Sequence, residues 1–217
     1  RTIKVGGAWK GPNAAEGFPF GFVQNTMTNA AGDFPRVNFL SGTNYSITAG
    51  MTHSIVGPTR FQGYTTTVGD GGKAVIDGGT AGASYALLTL SGANNALEDF
   101  IFQNNGATGT VTALNVTQDE NLIRRVVVNN VRGYGMVIGG TKAMAVECET
   151  YLCNLGAGAF GGIHMSGTGS IALRCISHDN EGADSSGFTV TSSVSCIHCI
   201  ADTNGFLGFN VTSAFGV

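Results

Sequence analysis

From Leu88 to Val211 apolar side chains recur as pairs with one residue between them, and the pairs fall into two alternating sets. The first set is Leu88/Leu90, Leu114/Val116, Met136/Ile138, Ile163/Met165, Phe188/Val190 and Phe209/Val211. The second is Phe100/Phe102, Val126/Val128, Cys148/Thr150, Cys175/Ser177 and Cys199/Ala201. Behind each second pair the chain turns from an Asn to a Gly, as in Asn105-Gly106, Asn130 to Gly133, Asn154 to Gly156, Asn180 to Gly182 and Asn204-Gly205. A period of two within each run predicts strands, and no 3.6-residue or heptad stripe crosses the region. Successive first pairs lie 26, 22, 27, 25 and 21 residues apart. Recurrence on that scale is the mark of a solenoid.

A sandwich would join neighbouring runs by tight hairpin turns. Here the run that matches Leu88 lies one whole repeat later. Matching residues stack only if each coil returns to its start one strand spacing higher, about 4.8 Å. The inward columns then become ladders of like residues, and parallel connections within one sheet cross over right-handedly. With its "QNNG", "SHDN" and "DTNG" turns, the chain resembles right-handed parallel β-helix proteins of the pectate-lyase-like group, which includes phage tailspikes and bacterial surface proteins. The expected fold is all-β, a right-handed parallel β-helix of 21–27-residue coils over residues 36–217. Residues 1–35 form an N-terminal lead-in and cap. Val23, Met27, Ala30 and Ala31 have helical spacing before Gly32, predicting a short capping helix with Trp9, Phe18, Phe20 and Phe22 packed beneath it. Between 36 and 79, "VNFL", "NYSI", "HSIV", "RFQGY" and "AVIDGG" are candidate strands of less regular first coils.

Stacking turns each outward column into a list of neighbours. Asp99, Arg125, Glu147, Arg174 and His198 alternate in sign up to the last member and predict a register-fixing charge ladder. Ile101, Val127, Glu149, Ile176 and Ile200 form an aliphatic stripe where polar residues belong, so Ile101, Val127, Ile176 and Ile200 are the expected interface, under a loop or a second subunit. The first-strand wall presents Thr89, Asn115, His164, Thr189, Thr191 and Asn210, an uncharged surface suited to hydrogen-bonding sugars or ordering water. Asn44, Asn115 and Asn210 also begin glycosylation triplets.

Composition narrows the partners. With 34 Gly against 4 Pro and 12% charged residues, the chain suits tight corners and few long exposed side chains. A net charge of −3 gives nucleic acid no electrostatic footing. No apolar run reaches the ~20 residues of a membrane span. The sequence begins at Arg1 without an initiator Met or signal peptide, which reads as a mature form, a fragment or a trimmed chain. It stops at Val217, shortly after the sixth first-set pair and without a polar cap, which reads as a truncated chain or as an open end covered by another subunit. Cys148, Cys175 and Cys199 share an inward column with Cys196 nearby; a core ladder is the expectation, and disulfides between stacked neighbours stay open. No metal centre or cofactor is expected, apart from a weak calcium reading at Asp70 and Asp77, where turn-capping aspartates are the favoured reading.

The resemblance implies two enzymatic chemistries: lyases with acidic residues around calcium and a basic proton acceptor, and hydrolases with grouped aspartates. The matching group here is His178, Asp179 and Asp202, with Tyr151 in the same turn column. Three readings therefore stand. One is a structural or adhesive module of an extracellular, cell or virion surface, self-associating head-to-tail or laterally and touching polysaccharide. The second is a polysaccharide lyase or hydrolase, and the third a passive glycan- or ice-binding wall.

Overall fold

The computed structural model describes residues 2–5, 36–42, 44–47, 50–54, 56–79, 85–105, 111–155, 161–191 and 193–212. Its first strand is β1 (Thr2–Val5), and triplets of short strands follow. In the early coils these are β2 (Arg36–Leu40), β3 (Asn44–Ser46), β4 (Met51–His53), β5 (Arg60–Tyr64), β6 (Ala74–Asp77) and β7 (Leu88–Leu90). The middle coils hold β8 (Ala96–Glu98), β9 (Phe100–Asn105), β10 (Leu114–Val116), β11 (Leu122–Arg124), β12 (Val127–Val131) and β13 (Met136–Ile138). Next come β14 (Met144–Val146), β15 (Glu149–Tyr151), β16 (Gly161–Met165), β17 (Ile171–Leu173), β18 (Ile176–His178) and β19 (Ser186–Val190). The last described coil holds β20 (Ser195–Ile197), β21 (Ile200–Asp202) and β22 (Phe209–Val211).

Every third strand pairs in parallel with its counterpart one coil away, making three sheets: β1-β2-β5-β8-β11-β14-β17-β20, β3-β6-β9-β12-β15-β18-β21 and β4-β7-β10-β13-β16-β19-β22. This is an all-β parallel solenoid of about six turns, as the repeat implies. The third sheet reproduces the expected register, with Leu88 opposite Leu114, then Met136, Ile163, Phe188 and Phe209. Inward positions of the three walls meet in one core that runs along the axis. Its lower part is aromatic: the Phe39 and Phe100 rings meet edge-on at 5.1 Å, and Phe102 stacks on Phe100 at 5.9 Å. Along the first sheet the inward column shrinks upward from Phe61 through Leu97 and Ile123 to Ala145 and Ala172. Each fully buried Phe, Leu or Ile stabilises the stack by about 1.5–3 kcal/mol.

The corners explain the turn chemistry. Three positions per coil are left-handed: Asn94, Glu120 and Lys142 (φ 61, 57, 56°) before the first sheet, Asp99, Arg125, Glu147, Arg174 and His198 (φ 63, 51, 55, 52, 52°) before the second, and Asn104, Asn130, Leu152, Asp179 and Thr203 (φ 56, 53, 50, 49, 49°) after it. Asn and Asp tolerate this region best among non-glycine residues, hence their density in the turns. Inside the corners, amide side chains link coil to coil: the Asn95 N–H donates to Asn121 Oδ1 at 2.8 Å, and Asn180 Nδ2 donates to Asn204 Oδ1 at 2.6 Å. At Gly140 the coils approach so closely that a Cβ would run into the Gln118 carbonyl.

The structure departs from the sequence reading in four places. Each coil has a third strand, the β8-β11-β14-β17-β20 series, where only two were anticipated. In the first coil the strand is Met51–His53 rather than "HSIV": His53 is buried and Val56 is 73% exposed. Asp99, expected to point outward, is completely buried beneath Arg125 of the next coil, whose Nε and Nη2 donate to it at 2.6 and 2.7 Å. Within 1–35, Thr2–Val5 adds a strand beside Arg36–Phe39, whereas the helix expected at 23–31, Trp9 and the Phe18–Phe22 cluster lie outside the described residues.

Candidate functional site

The second sheet carries the anticipated turn column on its outer face. Tyr151, His178 and Asp202 are in direct register on β15, β18 and β21. Because Asp179 adopts the left-handed conformation immediately after β18, its carboxylate meets the preceding imidazole, with His178 Nδ1 at 2.7 Å from Asp179 Oδ2. From one coil below, Glu149 reaches diagonally to His178 Nε2 at 3.1 Å, and the Tyr151 ring stacks under the imidazole at 5.4 Å and 15°. Partial burial disfavours the imidazolium, but the hydrogen bonds and charges of Asp179 and Glu149 outweigh it, so the His178 pKa is raised. The result is an imidazole held between two carboxylates with both ring nitrogens engaged. It can release a proton to either partner, and it meets an external base only where one carboxylate swings aside.

Asp202 is exposed one coil above and meets Asp179 through the backbone, its carbonyl accepting from the Asp179 N–H at 3.2 Å. The structure thus brings His178 and Asp179 together and seats Glu149, not Asp202, on the second nitrogen. Glu149 interrupts an otherwise aliphatic column, and that interruption is the signal in the sequence that marks it out.

On the third sheet, Thr89, Asn115, Val137, His164, Thr189 and Asn210 form one outward row, as anticipated. The row has a centre that the sequence did not reveal, Tyr134, whose ring lies 4.9 Å from that of His164. Burial raises the Tyr134 pKa, partly offset by a hydrogen bond with Thr189. Burial also lowers the His164 pKa, and Thr191 Oγ1 lies 3.5 Å from its Nε2. Tyr134, His164, Thr189 and Thr191 are therefore a neutral patch of one aromatic face with hydroxyl and imidazole groups around it. Among the glycosylation candidates, Asn44 is exposed, while Asn115 and Asn210 are half-buried in this wall.

The aliphatic stripe is graded. Val127 is buried and Ile101 half-buried, but Ile176 is 38% and Ile200 55% exposed. The Asp70 carboxylate accepts backbone N–H groups of Thr65, Thr66, Thr67 and Gly72, with Thr66 the chief cause of its lowered pKa. Asp77 accepts from Gly79, Gln103 and Asn104. Both carboxylates thus tie down turns, and no group of three or more His, Cys, Asp or Glu suited to a metal occurs among the described residues. A groove of about 710 Å³ beside the first sheet holds Arg36, Arg60, Asn94, Glu98 and Glu120, with Arg60 Nε 2.8 Å from Glu98; none of the anticipated site residues lines it. No described helix is long and apolar enough to cross a membrane. No family model matches the chain, and the searches of curated proteins and of solved structures return no match.

Proposed function

We propose that this chain is a structural module of the pectate-lyase-like group, carried on an extracellular, cell or virion surface and extended end-on by a second copy of itself. One observation carries the reading. Phe209 and Val211 occupy the same inward columns as Phe188 and Val190, which are 0% and 4% exposed, yet they are themselves 43% and 52% exposed. Phe206 and Leu207 beside them are 57% and 39% exposed, and Ile197 and Ile200 continue the apolar surface around the rim. Such a surface is the apolar rim of the last described coil, and contiguous apolar patches of this kind mark interfaces. Its occupant is argued from its form: three strands, one at the end of each parallel sheet, accept another coil of the same kind. A small net charge of −3 sets little repulsion against it.

Light scattering and electron microscopy across a concentration series test this reading. Oligomers or filaments are expected for the native sequence, and Phe209→Glu should shift assembly to at least tenfold higher concentration by placing a charge in the interface. A monomer at every concentration, with Phe209 shielded from solvent quenchers by the chain's own residues, would overturn it.

A second reading concerns the outer wall. An aromatic face beside two threonine hydroxyls and a neutral imidazole is the chemistry that holds a sugar ring, and Tyr134, His164, Thr189 and Thr191 supply it. Glycan-array binding that survives Tyr134→Ala would remove it.

A further inference from the structure

Three of the five cysteines form one row, and a fourth lies across a corner from its last member. Cys148, Cys175 and Cys199 follow the left-handed corner in three successive coils, next to the register positions Glu149, Ile176 and Ile200. Cys196 lies across the last corner, on β20 in register with Ala172. The register therefore stacks Cys175 between Cys148 in the coil below and Cys199 in the coil above, one strand spacing apart. All are free thiols. Cys148, Cys175 and Cys199 also donate to the carbonyls of Ile123, Ala145 and Ala172, each at 3.4 Å. Access to the row is from above: Cys148 and Cys175 are buried, whereas Cys196 and Cys199 are partly exposed.

Core packing accounts for Cys148, and for Cys153, whose thiol burial pushes its pKa well up. It leaves a partly exposed thiol, Cys199, stacked in register over a buried one, Cys175, in the coil below. Directly stacked residues are about 4.8 Å apart at Cα, within the 4.4–6.8 Å that a disulfide spans. Their parallel Cβ vectors lie wider apart than the 3.5–4.5 Å of a relaxed disulfide, which makes such a bond strained and readily reduced.

We propose that Cys199 and Cys175 form a reversible disulfide that staples the last described coil to the one beneath it, with a small-molecule disulfide of the glutathione class as oxidant. The Cys199 thiolate attacks one sulfur of the oxidant, forming a mixed disulfide and expelling one thiolate. Cys175 then gives its proton to that thiolate and attacks the Cys199 sulfur, expelling the second. Two protein thiols are oxidised, one oxidant disulfide is reduced to two thiols, and the two protein protons end on them. The staple does not depend on the assembly reading, because its readout is covalent connectivity.

The test incubates the full chain with excess oxidised glutathione, at a concentration where light scattering finds monomers, then alkylates and maps peptides. No Lys or Arg follows Arg174, so trypsin alone leaves Cys175, Cys196 and Cys199 on one peptide, and a second cut after Glu181 separates the first from the other two. The expected result is a Cys175–Cys199 cross-link with Cys196 alkylated, and an unfolding midpoint raised by roughly 3–10 °C that dithiothreitol reverses. Cys196→Ser should keep the cross-link and Cys199→Ser should abolish it. A Cys196–Cys199 link, glutathione retained on Cys199, or unreacted thiols would each overturn the proposal, and all three are read on the native sequence without any core variant having to fold.

Discussion

His53 and His178 titrate in opposite directions. His53 is fully buried, with its ring edge-on to Phe61 at 4.8 Å, and burial lowers its pKa from 6.5 to about 4. Between those two values the unfolded chain binds a proton that the folded chain does not. Stability therefore falls as pH drops from about 6.5 to about 4, by a total on the order of 3 kcal/mol. For His178 the sign reverses. Its folded pKa is raised, so its contribution is present below the unfolded value and is lost as pH rises through the folded one, and partial exposure keeps it small. Imidazole proton resonances should show His178 titrating above 6.5 and His53 unmoved until near pH 4. A His53→Leu chain that kept the full acid destabilisation would show that the pH dependence comes from other groups.

The left-handed corner before the second sheet works as an element rather than as separate residues. Its charges alternate and are spent between coils: Asp99 on Arg125, and Glu147 on Arg174 at 3.4 Å. The two pairs are unequal. Asp99 is completely buried, so Arg125→Ala would leave a carboxylate in the core with only the 3.4 Å contact from Gln62 Nε2, whereas Arg174 is mostly exposed. Loss of a buried partner costs about 3–5 kcal/mol, against about 0–1 for the exposed pair. Urea unfolding should separate Arg125→Ala from Arg174→Ala by that margin. Adding Asp99→Asn to Arg125→Ala should recover part of the loss, since Asn keeps the left-handed corner and removes the charge.

At the scale of the whole molecule, each coil touches only its neighbours, so local stability follows position along the axis. The middle coils are covered on both sides and filled by Leu114, Val126, Val128, Met136 and Ile138, all buried. The last described coil has neighbours on one side and keeps Ile200, Phe209 and Val211 exposed. Amide hydrogen exchange on dispersed chain should be fastest in β20 to β22 and slowest in β10 to β13. Assembly through the last coil would slow the first group selectively, and uniform protection along the axis would contradict nearest-neighbour stacking.

The sequence by itself determined the repeat, the parallel register and the inward columns, because a stack of like residues one strand spacing apart must recur in the chain at the length of a coil. It did not reveal the third strand of each coil. Leu122–Arg124 and Met144–Val146 each bury only their middle residue, and in Ala96–Glu98 the residue buried beside Leu97 is the charged Glu98, so no apolar alternation marks these strands. Only the tertiary structure seated Glu149 and Asp179 on opposite nitrogens of His178, since that contact crosses diagonally between coils. It likewise decided the burial of Asp99, which depends on the Arg125 side chain of the next coil closing over it. Phe188 and Phe209 show the limit most directly: the same residue in the same column, one sealed and one 43% exposed, because burial depends on what stacks against the ring and not on the residue itself.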